Sequence, residues 1–167
     1  MSMPKLPARR PGATPGPRKR FGQHFLEPAW AEKLVAAIAP APSDCFVEVG
    51  PGRGALTAAL ASHAAQVVAI EIDRDLAAGL SRRGLSRTTI IVGDVLKANL
   101  HDLGRRAQYD QPDGRLRLAG NLPFNISSPV LIHILAAQRA GSPFHDATVM
   151  LQREVADRLV AQPGTRG

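Results

Sequence analysis

Cysteine is almost missing from this chain of 167 residues: Cys45 stands alone. One thiol cannot build an internal disulfide framework, so the fold must hold through its core. Cys45 opens an apolar, strand-like run and is expected as a small buried side chain. A reducing, cytoplasmic setting fits that usage. Long apolar runs are missing as well, and none would cross a membrane. No apolar segment follows the basic residues near the start, so no signal peptide is expected. His63, His101, His133 and His145 show no metal-ligand spacing, and no metal is expected.

Acidic residues are absent from the first twenty positions, where Lys5, Arg9, Arg10, Arg18, Lys19 and Arg20 stand. The formal net charge is +7. Removing these six leaves about +1 for the rest, so the basicity belongs to the arm. Pro4, Pro7, Pro11, Pro15 and Pro17 forbid a helix there. The prolines also argue against an amphipathic transit peptide. Residues 1–20 read as a mobile, disordered arm that can neutralise phosphates, or as a solvated tail with no partner. Charge alone leaves both open.

What is present supports one packed domain. Hydrophobic residues make up 44% of the chain, enough for a real core. From Pro28 onward, strand-like and helix-like patterns alternate. The expected strands are Cys45 to Val49, Val67 to Ile72, Thr88 to Val92, Leu116 to Ala119 and Ala147 to Leu151. The expected helices are Pro28 to Ala39, Ala55 to His63, Leu76 to Arg83, Pro129 to Gln138 and Glu154 to Val160. Arg105 to Gly114 is polar and reads as a loop. Such alternation predicts an α/β fold, a Rossmann-like parallel sheet with helices on both faces. Ligands of these sheets bind at the carboxyl ends of the strands, near the switch in strand order.

The candidate motifs fall at those ends. Gly50-Pro51-Gly52-Arg53-Gly54 follows the first strand and permits a tight turn with close backbone approach. Its spacing is not the dinucleotide one. Glu71 ends the second strand, where a carboxylate can accept both hydroxyls of a ribose. Asp94 ends the third, placed to accept from an adenine amino group. Glu48, Glu71 and Asp94 would repel a pyrophosphate and attract a cationic sulfonium, which favours S-adenosylmethionine over NAD. Asp73 and Asp75 read as helix capping. Asn121-Leu122-Pro123-Phe124 follows the fourth strand and reads as a clamp for an exocyclic amine. The Asn121 amide oxygen and the Leu122 carbonyl both accept. Pro123 fixes the backbone, and Phe124 offers a stacking face.

Six motifs occur in one order: Phe21-Gly22-Gln23-His24-Phe25-Leu26, the glycine turn, Glu71-Ile72-Asp73, Gly93-Asp94-Val95, Asn121 through Ser127, and Gln152 through Leu159. In that set the chain resembles the ribosomal RNA adenine dimethyltransferases, most of all their bacterial small-subunit branch, from about Lys19 to the end. The resemblance implies S-adenosylmethionine contacts at Gln23, His24, Leu26, Gly50, Gly52, Glu71, Asp94, Val95 and Asn121. It implies catalytic work at Asn121, Leu122, Pro123 and Phe124. Relatives often carry tyrosine where Phe124 stands. The implied reaction is N6-dimethylation of two adjacent adenosines near the 3′ end of small-subunit ribosomal RNA, by a monomer acting on immature small subunits. Residues 21–167 would then be the catalytic domain, ending soon after its fifth strand, whereas the family fold continues with further strands and a small helical domain. Gln152 to Arg158 reads equally as a solvated helix face. Two other functions stay open: a ribosome-assembly factor that binds without turnover, and a DNA adenine methyltransferase. The Phe21 to Leu26 match and the lack of a target-recognition insert argue against DNA.

Overall fold

The computed structural model describes residues 25–141 and 144–161. Five strands form one sheet: β1 (Cys45–Val49), β2 (Gln66–Glu71), β3 (Thr88–Val92), β4 (Leu116–Asn121) and β5 (Asp146–Met150). Their order is β3-β2-β1-β4-β5, and every pairing is parallel. The chain runs outward from β1 to β3, then crosses back to β4. The switch in strand order therefore lies between β1 and β4. The helices are α1 (Pro28–Ile38), α2 (Ala55–Ala61), α3 (Arg74–Arg82), α4 (Leu100–Ala107), α5 (Ser127–Arg139) and α6 (Arg153–Val160).

The central strands are near-continuous apolar runs because both of their faces are covered. Cys45, Val47 and Val49 pack with Leu100, Leu103 and Ala107 of α4 and Val130 of α5. Phe46 points to the other face, with Ala31 and Val35 of α1 and Leu56 and Leu60 of α2. Burying each large aliphatic side chain stabilises the fold by about 1.5–3 kcal/mol. Cys45 is fully buried, as its place in the strand requires. Among the described residues, no helix is long and apolar enough to cross a membrane, and no cluster could hold a metal ion.

The amino-terminal end of the sheet is pinned by charge. Asp44 has no exposed surface. Arg115 donates to both its oxygens, at 2.8 and 2.9 Å. Arg117 donates to Asp44 Oδ2 at 3.1 Å and to Asp146 Oδ1 at 2.9 Å, joining the starts of β1, β4 and β5. Burial alone would raise the Asp44 carboxyl, but Arg115, the Ala41 N–H and Arg117 hold it below its ordinary value.

Three expectations are corrected. Residues 105–107 are not loop but the end of α4, which no periodicity predicted. Its buried positions Leu100, Leu103, Gly104 and Ala107 do follow helical spacing, and Asn99 caps the first turn through His101 N–H at 2.9 Å. Gly104 and four polar or charged neighbours hide that stripe. β4 extends through Asn121, because pairing with β5 carries the ladder to Met150. α3 starts at Arg74, with Asp73 accepting from Asp75 and Leu76 N–H. Asp73 is therefore the cap, and Asp75 only a first-turn acid. α6 buries none of its residues, in line with a solvated face.

Candidate functional site

Strand ends on both sides of the switch build one cleft. After β1, Gly50, Gly52 and Gly54 take φ of +67°, +56° and +78°. Side-chain-bearing residues avoid this region, so the turn demands glycine. Gly54 N–H donates to Pro51 carbonyl at 2.8 Å and closes it. Glu71, at the end of β2, is 3% exposed. Its Oε2 accepts from Gly52 N–H and its Oε1 from Asp73 N–H, both at 2.9 Å. One side chain thus ties the glycine turn to the start of α3. Asp94, beyond β3, accepts from Leu96 N–H through Oδ1 at 3.0 Å.

On the far side of the switch, β4 delivers Asn121 as its last residue. Leu122 N–H donates to the Met150 carbonyl of β5 at 3.2 Å, and the Leu122 side chain enters the core. Ile126 N–H donates to the Pro123 carbonyl at 3.1 Å. Ser127 Oγ donates to the Phe124 carbonyl at 3.3 Å. These bonds fix the path from 121 to 127, while the Phe124 ring stays 43% exposed.

Leu26, Gly50, Gly52, Glu71, Asp94, Val95, Asn121, Leu122, Pro123 and Phe124 all line this cleft. Gln23, His24 and the arm of residues 1–20 lie outside the described residues. The cleft also holds residues that the sequence reading did not single out. Phe25 packs over the glycine turn, and a Cβ on Gly52 would come within 3.3 Å of its ring. The Arg53 guanidinium sits over that ring, 4.2 Å from its centroid. Ile72 lies at the rim, 44% exposed. Phe25 was visible inside a motif, but nothing in the motif tells which way its ring turns.

Glu48 requires a correction. The expectation counted it as one of three negative charges. It is 1% exposed, flanked in register by Ala69 and Ala119, and its Oε2 makes no hydrogen bond. Burial pushes its carboxyl up to about 8; the nearby Thr57 hydroxyl lowers it and the Glu71 charge raises it further. At neutral pH the ligand-free cleft therefore holds Glu48 mainly as a neutral acid.

A family model described as ribosomal RNA adenine dimethylase matches residues 16–167. Proteins named ribosomal RNA small subunit methyltransferase A are similar across most of this chain. One from a Burkholderia species is 49% identical, over 89% of this chain and 52% of its own length. One from Verminephrobacter eiseniae is 44% identical, over 98% and 57%. The chain spans about half the length of the curated relatives it matches. Among solved structures, a dimethyladenosine transferase from Plasmodium falciparum superposes with a TM-score of 0.67 at 27% identity, over 85% of this chain and 48% of that one. The 23S rRNA methyltransferase ErmE gives 0.63 at 25%, over 81% and 50%. The sheet and helices are thus a Rossmann-like methyltransferase fold, and the chain belongs to the ribosomal RNA adenine dimethylase family.

Proposed function

We propose that this cleft binds S-adenosylmethionine and that the chain transfers a methyl group from it to N6 of adenine in ribosomal RNA. The observation that carries the reading is the meeting, in one cleft, of the Asn121 to Phe124 tetrapeptide with the glycine turn that Glu71 pins. The donor set fits the cofactor. Each Glu71 oxygen accepts one backbone N–H and keeps a lone pair for a ribose hydroxyl. Asp94 would take the adenine amino group, with Leu26, Gly50, Gly52 and Val95 as walls. Gln23 and His24 belong to the same proposed set. Glu71 and Asp94 at the strand ends suit a cationic sulfonium better than a pyrophosphate. When bound, the cofactor supplies an electrophilic methyl group.

The chain's own part is positioning. The amine of adenine is conjugated with its ring and is a poor nucleophile. Asn121 side-chain oxygen and Leu122 carbonyl would accept its two protons, drawing the nitrogen toward tetrahedral geometry and freeing the lone pair. Pro123 contributes no N–H to compete. Phe124 would hold the base after it leaves its stack. Preorganised acceptors and orientation supply the acceleration, with no strong general base needed.

The substrate within this reading is the pair of adjacent adenosines near the 3′ end of small-subunit ribosomal RNA, on an immature subunit in the cytoplasm, modified by a monomer. The names of the relatives support small-subunit ribosomal RNA as the substrate class. Tritiated methyl transfer from S-adenosylmethionine to immature small subunits tests it, with this chain alone and joined to the second half of a relative. Label should enter dimethyladenosine, and Asn121→Ala should cut the rate about a hundredfold, the scale of losing one preorganised polar group. A folded Asn121→Ala protein with near-full turnover would remove the clamp. No transfer in either form would remove the activity.

A further inference from the structure

The chain holds one tryptophan, and the fold leaves it facing water. Along α1, Ala31, Val35 and Ile38 form the buried stripe. Trp30 lies off that stripe and is 54% exposed. Aromatic side chains gain most from burial, so an indole left outside a complete stripe forgoes stability. The Lys33 ammonium lies over the ring, 4.3 Å from its centroid. Among the described residues it pairs with no carboxylate. Trp30 stands four positions after Leu26, which lines the cleft, so their Cα atoms are at most about 14 Å apart. The cleft repeats the combination of ring and cation, with Arg53 over Phe25 at 4.2 Å. Glu27 and Glu32 are exposed on the same stretch, so attraction for phosphate is confined to Lys33. An open aromatic face with a cation beside it is what binds single-stranded nucleic acid: bases stack on the ring and the cation meets the backbone.

We propose that Trp30 and Lys33 form a nucleotide platform beside the cleft: the indole stacks on an unpaired base of the RNA strand that flanks the target adenosine, and the Lys33 ammonium takes a phosphate of that strand. The inference rests on the reading of the cleft above as a site of adenine methylation in RNA. Drawing the target base out of its stack strips its neighbour of a stacking partner. The Trp30 ring replaces that partner and lowers the cost of extrusion. More than half of the Trp30 surface reaches water even with Lys33 over the ring, which leaves room for a base. The lysine stem is flexible and its ammonium is a compact charge, so it can swing from the ring to a phosphate without moving the helix. Every base has a π-face, so the platform accepts any base. It positions the strand and leaves the choice of adenosine to the cleft.

Because Trp30 is the one tryptophan, its fluorescence reports this site alone and needs no variant. A single-stranded, adenosine-containing RNA oligonucleotide with a dye at one end is titrated into the protein, binding being read by dye anisotropy and stacking by tryptophan emission. Emission should fall in step with binding. The same strand annealed into a duplex offers no open base and should leave emission unchanged. Trp30→Ala should weaken binding of the single strand about 5- to 150-fold, and Trp30→Phe should keep most of the affinity. Lys33→Gln should cut the slope of log K against log salt by about 0.7. Circular dichroism checks that the variants fold, as expected for side chains outside the buried stripe. Calorimetry with S-adenosylmethionine separates loss of the platform, which leaves cofactor affinity in place, from damage to the cleft. RNA bound with emission unchanged, equal quenching by the duplex, or full RNA affinity in Trp30→Ala overturns the platform and leaves the proposed methyl transfer standing. No binding of the single strand at low salt overturns the platform; joined with no methyl transfer, it overturns the reading of the cleft as well.

Discussion

Replacing Glu71 with alanine should weaken the protein before any ligand is added. The side chain is 3% exposed and accepts two backbone N–H groups, from Gly52 and Asp73, each at 2.9 Å. Hydrogen bonds to a charged acceptor contribute about 1.5–3 kcal/mol each. The two share one side chain and will not add fully, so Glu71→Ala should cost the ligand-free protein about 3 kcal/mol. For a chain of this size that corresponds to roughly 6–12 °C in Tm. Glu71→Gln keeps one acceptor but turns an amide NH2 toward the other backbone N–H, and should cost about 1–2 kcal/mol. Loss of ribose contacts then adds about 1–3 kcal/mol to the affinity deficit for S-adenosylmethionine. Urea unfolding of the ligand-free variants separates the first effect, and calorimetry the second. Ligand-free stability unchanged in Glu71→Ala would refute the latch. A destabilised variant that binds with full affinity would refute the ribose contact and keep the latch.

Asp44→Asn should cost about 3–5 kcal/mol, because it strips a buried partner from Arg117. The Asp44 carboxyl is held below its ordinary value of 3.8. Its contribution is therefore complete above that value and lost as pH falls through the lower folded one, so acid unfolding followed by circular dichroism should begin at higher pH in the variant. Gly54→Ala should lose about 2–4 kcal/mol in urea unfolding, since its φ is +78° and the new Cβ collides with Leu80 Cδ1. Phe124→Tyr should keep methyl transfer, whereas Phe124→Ala should lose about 1–3 kcal/mol of base stacking, read as a raised KM for RNA.

The sheet was legible because β1, β2 and β4 are mostly apolar runs buried on both faces, interrupted inside only by Glu48 and Arg117, and carry no competing period. The positions of Glu71, Asp94 and Asn121 followed from the same reading, since each stands at or just beyond the point where an apolar run stops. α4 was not legible: Gly104, His101, Asp102, Arg105 and Arg106 bury a helix signal that Leu100, Leu103 and Ala107 carry alone. The charge on Glu48 was misjudged for a different reason. Sequence shows a carboxyl group, but its protonation depends on Ala69, Ala119 and Thr57, which come from three other elements. The second task of Glu71 was hidden likewise, because Gly52 is nineteen positions away along the chain.

The charge cluster at the other end of the sheet bears on the clamp through register. Arg117 lies beside Phe46, with its guanidinium 5.4 Å from the ring centroid, while reaching Asp44 and Asp146. Asn121 is four residues further along β4, about 13 Å away, and on the same face. A slip of one residue would turn every side chain of β4 to the opposite face. It would aim Gly120 or Leu122 where the amide now stands, and would also part Leu122 N–H from Met150. In the proposed reaction Arg117 would act as an indexing pin: three strands locked at one end fix the register that sets where the Asn121 amide points at the other. Sequence drift at Asp44, Arg117 or Asp146 would then act twice, lowering stability and, in the proposed reaction, loosening the aim of the amide.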